Sequence, residues 1–185
     1  MLVTTVSTDE ELQQISALNK LNLKKNVSEK EISEEGFVSW EYDFNLLKAL
    51  HFFSPSVIAK EEHKVIGYSL VAVKETKTVH PELAALLDKI EGLTYNHQLL
   101  SAYNYYLMGQ VCIDKPYRGH GLFGKMFAVH KALYQHQFDF VATTIATQNV
   151  RSIKAHEKVG FKIIHEIEDH FGNWVLVIWN WGKPV

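Results

Sequence analysis

At 185 residues the chain is long enough for one domain with a full hydrophobic core, and its 46% hydrophobic and 22% charged content is that of a globular protein. A net charge of −2 argues against nucleic acid or an anionic membrane as partner, so a phosphate-bearing ligand has to be held by a local device. No apolar run approaches the roughly 18 residues of a membrane span, no basic patch precedes an apolar run at the N-terminus, and the lone Cys112 excludes an internal disulfide framework and a Cys-rich zinc site. The expectation is a single cytoplasmic domain over residues 1–185.

Residues 3–6 predict a short first strand. Ser7 and Thr8 then offer an N-cap, Asp9, Glu10 and Glu11 suit a first turn, and Leu12, Ile15, Leu18 and Leu21 step at near-helical spacing. A polar stretch over 26–35 leads to Gly36, and Phe44, Leu47 and Leu50 predict a short helix before Pro55. Strands follow over about 56–61 and 65–74, joined by a turn at Glu62, His63 and Lys64. Pro81 opens a helix that carries Leu83, Leu86, Leu87 and Ile90 on one face and closes at Gly92. An aromatic strand over 105–113 precedes a helix over 122–135 with Leu122, Met126, Val129 and Leu133 as its stripe. Residues 138–144 are β-rich, 150–159 form a short helix ended by Gly160, and 161–168 with 173–181 read as a closing hairpin. This order gives an α/β or α+β layout around a mixed sheet.

The segment Arg118-Gly119-His120-Gly121-Leu122-Phe123-Gly124 lies between a strand and a helix and spells G-x-G-x-x-G. Glycines allow positive φ and close backbone approach, and the first turn of a helix offers unpaired N–H groups to an anion. A pyrophosphate can be held in this way without net positive charge. The same glycines are also compatible with a plain tight turn. A dinucleotide fold is disfavoured, because five residues separate Ile113 from Gly119, no acid ends the next strand, and too few elements remain for more parallel strands. A Walker loop is excluded, since Lys125 is followed by Met126.

Arg118 and Gly121, after the approach through Val111, Cys112, Ile113, Asp114, Lys115, Pro116 and Tyr117, resemble the cofactor loop [Arg/Gln]-x-x-Gly-x-[Gly/Ala] of the GNAT superfamily of N-acetyltransferases. Phe123 departs from the small last residue. About thirty residues later, the run from Asn149 through Ser152, His156 and Lys158 to Phe161 resembles that family's Asn-x-x-Ala/Ser-x-x-x-Tyr-Glu-Lys-x-Gly-Phe segment. The resemblance is close from Tyr105 onward; the first hundred residues match only in element order.

The resemblance implies a GNAT-like acyl-CoA N-acyltransferase fold, a central mixed, mostly antiparallel sheet flanked by helices. It implies an enzyme that moves an acetyl group from acetyl-CoA to a primary amine, in a small molecule or a peptide, by direct attack in a ternary complex. A non-catalytic acyl-CoA-binding sensor or subunit is the alternative. The expected cofactor contacts are Val111, Cys112 and Ile113 for the pantetheine and Arg118, Gly119, His120, Gly121, Leu122, Phe123, Gly124 and Lys125 for the pyrophosphate, with Asn149, Ser152 and Lys158 from the following helix. His156 stands where the family has the tyrosine that protonates the thiolate, and is expected to be the acid; the alternative is a polar residue of the helix face, with acid duty passed to Tyr105, Tyr106 or water. The seven-residue span from Asn149 to His156 puts both on one helix face with Ser152.

Other residues have plainer readings. Cys112, in an apolar strand, packs in the core and is no nucleophile. His165 and His170, five apart along a strand, point to opposite faces, and no HExxH helix occurs, so no metal is expected. Glu34, Glu35, Glu41 and Asp43, among Phe37, Trp40, Tyr42 and Phe44, suit either a pocket for a cationic amine or a solvated helix with its packing face. Trp174, Trp179 and Trp181 are read as hairpin packing or a homodimer contact. The central strand holds no acid, so the general base is not identified.

Overall fold

A computed structural model describes residues 1–169 and 172–181, the side chains of Ser33, Glu34 and Asp169 excepted. Strand β1 (Leu2–Thr5) leads into helix α1 (Asp9–Leu21). Thr8 caps this helix in a reciprocal capping box with Glu11, as a Thr-x-x-Glu spacing allows. The polar stretch 26–35, for which no element was expected, contains a second capping box: Ser28 and Glu31 start α2 (Glu29–Glu34). Helix α3 (Phe44–Phe53) begins at Asp43, whose carboxylate accepts from Leu46 N at 2.8 Å. Strands β2 (Val57–Glu61) and β3 (Lys64–Ala72) are followed by α4 (Pro81–Glu91) and a small hairpin, β4 (Thr94–Tyr95) with β5 (Gln98–Leu99), that periodicity did not signal. Strand β6 (Tyr105–Ile113), α5 (Leu122–Tyr134), β7 (Phe140–Ala146), α6 (Val150–Val159) and the hairpin β8 (Lys162–Asp169) and β9 (Gly172–Asn180) complete the chain.

The main sheet runs β1-β2-β3-β6-β7-β9-β8, antiparallel except at β6 and β7. This is the expected mixed, mostly antiparallel sheet. Its alternating side chains feed two cores: Tyr68, Leu70 and Ala72 join the cluster that holds α1, α3 and α4 residues, while Val71 and Val73 join the one built on α5. The expected α5 stripe is only partly right. Leu122 and Met126 are buried, but Leu133 is exposed, and Phe127, His130 and Tyr134 carry the buried face. A helix against a broad sheet buries more than one narrow stripe, and polar groups with partners are admitted to that face. His130 is such a group, with Nδ1 3.0 Å from Tyr106 Oη and Nε2 2.8 Å from Ser69 Oγ.

Strand β6 positions the site. Tyr105 and Leu107 face one core and Tyr106 and Met108 the other, yet beyond Gln110 the parity inverts: Cys112 joins the first core and Val111 packs against the second. The cause is a bulge. Ser69 pairs with Val111 and Val71 with Met108, so β6 spends an extra residue at Gly109–Gln110. Space is tight there, because a Cβ on Gly109 would stand 3.1 Å from Tyr42 Oη.

Candidate active site

Strands β6 and β7 pair only through Tyr105↔Phe140, Tyr106↔Val141 and Leu107↔Ala142. Past that point β6 stays with β3 as far as Ile113 and β7 stays with β9 as far as Ala146, so the two strands part in a V. Thr143 Oγ1 donates to Met108 O at 2.8 Å, which satisfies a carbonyl just beyond the last main-chain pair. The facing strand edges in the opening are free to pair with an amide-bearing chain laid between them.

Two connected cavities occupy the V. The outer one runs from β6 to the start of α5 and along α6, and its lining includes Val111, Cys112, Ile113, Arg118, Gly119, Gly121, Leu122, Phe123, Gly124, Asn149, Ser152 and Lys158. Twelve of the fourteen residues expected to hold a cofactor are thereby brought together; His120 and Lys125 are exposed and outside this lining. Gly119 and Gly121 have φ of +81° and +76°, which only glycine adopts without strain. A Cβ at 119, 121 or 124 would meet nothing within 4 Å, so these glycines leave open space and do not relieve a close internal contact. Lys125 N is the first amide of α5 to reach a helix carbonyl, Gly121 O at 3.2 Å, so the amides of the turn before it are unpaired among the described residues. Open space, unpaired amides and the exposed cations Lys154 and Lys158 on α6 suit a pyrophosphate-bearing cofactor.

Three expected contacts have structural duties. The Arg118 guanidinium donates to Ile113 O at 2.8 Å, Glu35 Oε2 at 2.7 Å and Asn22 Oδ1 at 2.7 Å. It therefore fixes the loop to the strand end and to the segments around α2, and has little freedom left for phosphate. Lys115 adds an ion pair to Glu31. Asn149 caps α6 by accepting from Ser152 N, and its Nδ2 donates to Phe37 O at 3.1 Å. Cys112 is buried, and burial pushes its thiol up to about 12, in keeping with packing and not with nucleophilic chemistry. Phe123 turns toward α6 and stacks near Phe127 and His156, at ring separations of 4.6 and 5.0 Å. A large residue at this position is accommodated by pointing away from the phosphate turn.

The inner cavity, about 360 Å³, lies between β6, β7, α4 and the 37–42 segment. His156 contributes to its wall but is only 1% exposed. Its Nδ1 lies 2.8 Å from Ser152 O, an atom that can only accept, so Nδ1 carries the proton and Nε2 presents a bare lone pair. Nε2 is buried and has no partner among the described residues. Burial lowers the pKa to about 4, which leaves on the order of one ring in a thousand protonated at pH 7. The expected acid role is at odds with this environment: a neutral ring of this tautomer has no proton at Nε2 to give.

Sequence reasoning placed Tyr42 only among the aromatics of a possible acceptor pocket and gave it no role of its own. Its side chain is 3% exposed, lines the inner cavity and places Oη over Gly109 of the bulge. Burial raises its pKa, so the hydroxyl keeps its proton. Asn19 holds it there. Asn19 Oδ1 accepts from Tyr42 N at 2.9 Å, while Nδ2 contacts Gln110 Oε1 at 2.5 Å, Trp40 O at 3.0 Å and Tyr68 Oη at 3.1 Å. A polar residue on an otherwise apolar helix face was the available signal.

The remaining sequence readings divide. Phe37, Trp40 and Tyr42 line the inner cavity, but the acids among them do not: Glu35 pairs with Arg118, Glu41 with Lys25 at 2.8 Å, and Asp43 caps α3. The side chain of Glu34 lies outside what is described. Trp179 packs against Phe127 and Phe161 as expected for a hairpin, whereas Trp174 lines the inner cavity. His165 Nε2 lies 2.6 Å from Thr94 O, and no group of three metal-ligating side chains occurs among the described residues; His170 lies outside them.

No protein-family model matches the chain, and no curated protein matches it in sequence. Solved structures do match. A GNAT-family acetyltransferase from Streptococcus agalactiae superposes with a TM-score of 0.66 at 14% identity, over 98% of this chain and 96% of that one. The fold is that of the GNAT acetyltransferases. The GNAT-fold yncA protein of Salmonella typhimurium, solved with its cofactor acetyl-CoA, gives 0.65 at 13% identity over 100% and 96%. A chain of the NatC complex bound to Gag peptide and CoA gives 0.62 at 13% identity over 97% of both chains. The splayed strands and the glycine turn described above are thus set in a GNAT frame across nearly the whole chain.

Proposed function

We propose that the protein is an acyl-CoA-dependent N-acyltransferase that transfers an acetyl group to a primary amine by direct attack in a ternary complex. The observation that carries this reading is the V between β6 and β7, with a main-chain bulge at its apex and unpaired amides of the Gly119–Gly121 turn at its outer end. Acetyl-CoA would supply the activated thioester. Gly119, Gly121 and Gly124 with Lys158 would hold its pyrophosphate, and the free edge at Val111 and Ile113 its pantetheine. The inner cavity then takes the amine.

The bulge at Gly109–Gln110 breaks the main-chain ladder where charge would develop on the thioester oxygen, and Tyr42 adds a protonated hydroxyl beside it. Tyr42 is the better-placed proton donor for the departing thiolate or the oxyanion, and His156, neutral with a bare Nε2, serves as a hydrogen-bond acceptor. Among the described residues no carboxylate of the inner cavity is sequestered as a base, and Glu82, exposed on α4, is the one acid in its lining. The amine is expected to attack as the free base after losing its proton to solvent.

The test is a calorimetric titration with acetyl-CoA, joined to release of CoA thiol across an amine panel that includes peptides. Binding with amine-dependent thiol release is the expected outcome. Binding without release from any amine would favour a CoA-binding sensor, and absence of binding would remove the reading.

A further inference from the structure

The inner cavity has walls of unusual chemistry for a site that must admit an amine. Trp40 and Phe37 enter from the loop after α2, Leu86 from α4, Ile167 from β8 and Trp174 from β9, and all five side chains face the same space. Aromatic and branched surfaces of this kind reward an apolar body. Of the acids of that segment, the three with described side chains are directed elsewhere: Glu35 is held by Arg118 and Glu41 by Lys25, and Asp43 is used as a cap. Glu82 stands in water at the first turn of α4, and Lys89, also in the lining, brings a positive charge. A second ammonium taken in among Phe37, Trp40, Leu86, Ile167 and Trp174 would lose hydration, with the water-exposed Glu82 as the one carboxylate of the described lining to offset it.

Lys89 Nζ donates to Glu168 O at 2.8 Å, which ties α4 to the end of β8 beside the cavity, and a volume of about 360 Å³ suits one ring-sized body.

Resting on the acyltransferase reading, we propose that the acceptor is a compact primary amine with a single apolar, ring-sized body and no second positive charge. Its amino group points at the Gly109–Gln110 bulge and its body lies between Trp40 and Trp174. Polyamines and aminoglycosides are excluded by the same walls.

The full-length chain should be assayed with acetyl-CoA and matched acceptors: phenethylamine, spermidine, an aminoglycoside, and a tetrapeptide with an apolar first residue. The expected result is a kcat/KM for phenethylamine at least about 30-fold above that for spermidine, the size of discrimination that several apolar contacts and one unpaired charge provide. Trp40→Ala should raise the KM for phenethylamine by about 10-fold or more and leave the KM for acetyl-CoA unchanged. Quenching of tryptophan fluorescence by phenethylamine in the presence of CoA, weaker in Trp174→Phe, reads binding independently of turnover. Preference for spermidine, the aminoglycoside or the peptide would overturn the proposal and leave the acyltransferase reading standing. Acetyl-CoA binding with no turnover or binding of phenethylamine would overturn it as well. Failure to bind acetyl-CoA is the separate result that removes the acyltransferase reading itself.

Discussion

Gly121→Ala separates the two readings of the glycine turn, a ligand cradle or a tight connection. Gly121 sits at φ +76° as the N-cap of α5, and an added Cβ meets no atom within 4 Å. The stability cost is therefore backbone strain alone, about 1–2 kcal/mol for a left-handed non-glycine residue, partly offset by the reduced entropy of the unfolded chain. For a chain of this size that lowers Tm by roughly 2–4 °C per kcal/mol. Ligand binding should suffer more, because the new methyl occupies the space in which phosphate oxygens would meet the unpaired amides. Losing one amide contact to a charged oxygen costs about 1.5–3 kcal/mol, or roughly 10- to 150-fold in Kd. Thermal unfolding and CoA titration on the same sample measure both quantities. Gly36→Ala is the structural contrast, since its Cβ would meet Asn149 Oδ1 at 2.8 Å and its φ is +79°; it should destabilise more. If Gly121→Ala loses the small stability increment and still binds CoA like the parent, the turn is only a connection.

Tyr42→Phe should lower kcat by at least about tenfold, leave the KM for acetyl-CoA nearly unchanged and move stability by less than about 1 kcal/mol, since the hydroxyl has no hydrogen-bond partner among the described residues. Steady-state kinetics with a melting curve checks this, and an unaltered kcat would return proton donation to water. Acid should destabilise the fold well before its carboxylates titrate: burial lowers His130 to about 3 and His156 to about 4, so both are neutral when folded and bind protons when unfolded. Their contribution is complete above the unfolded value near 6.5 and is lost as pH falls toward 4, at about 1.4 kcal/mol per pH unit for each ring. A Tm that is level between pH 6.5 and 5 would contradict the burial of these two rings.

Much of the frame was legible in the chain itself. The glycines at 119, 121 and 160, the Thr8 cap and Pro81 at the start of α4 are local signals with local causes, and each falls where hydrogen bonding, a helix start or positive φ favours it. Helix α2 was equally local, with Ser28 and Glu31 three apart, but its polar face lacks the apolar stripe by which helices are recognised. The inner cavity was not legible in this way. Trp40 was a possible pocket residue and Leu86 and Trp174 were packing residues in sequence, and they share one space because the 37–42 segment, α4 and β9 converge there.

The glycine turn was thus determined by sequence, because glycine conformation and helix-start amides are properties of a few consecutive residues. The protonation of His156 and the placement of Tyr42 were decided by tertiary structure. A histidine at the motif position becomes a neutral acceptor only once Phe123, Phe127 and Phe161 crowd its ring and its Nδ1–H donates to Ser152 O. A tyrosine in an irregular segment reaches the bulge only because Asn19, 23 residues away, holds its backbone there. Burial and long-range hydrogen bonds set both outcomes, and neither is a property of neighbouring residues in the chain.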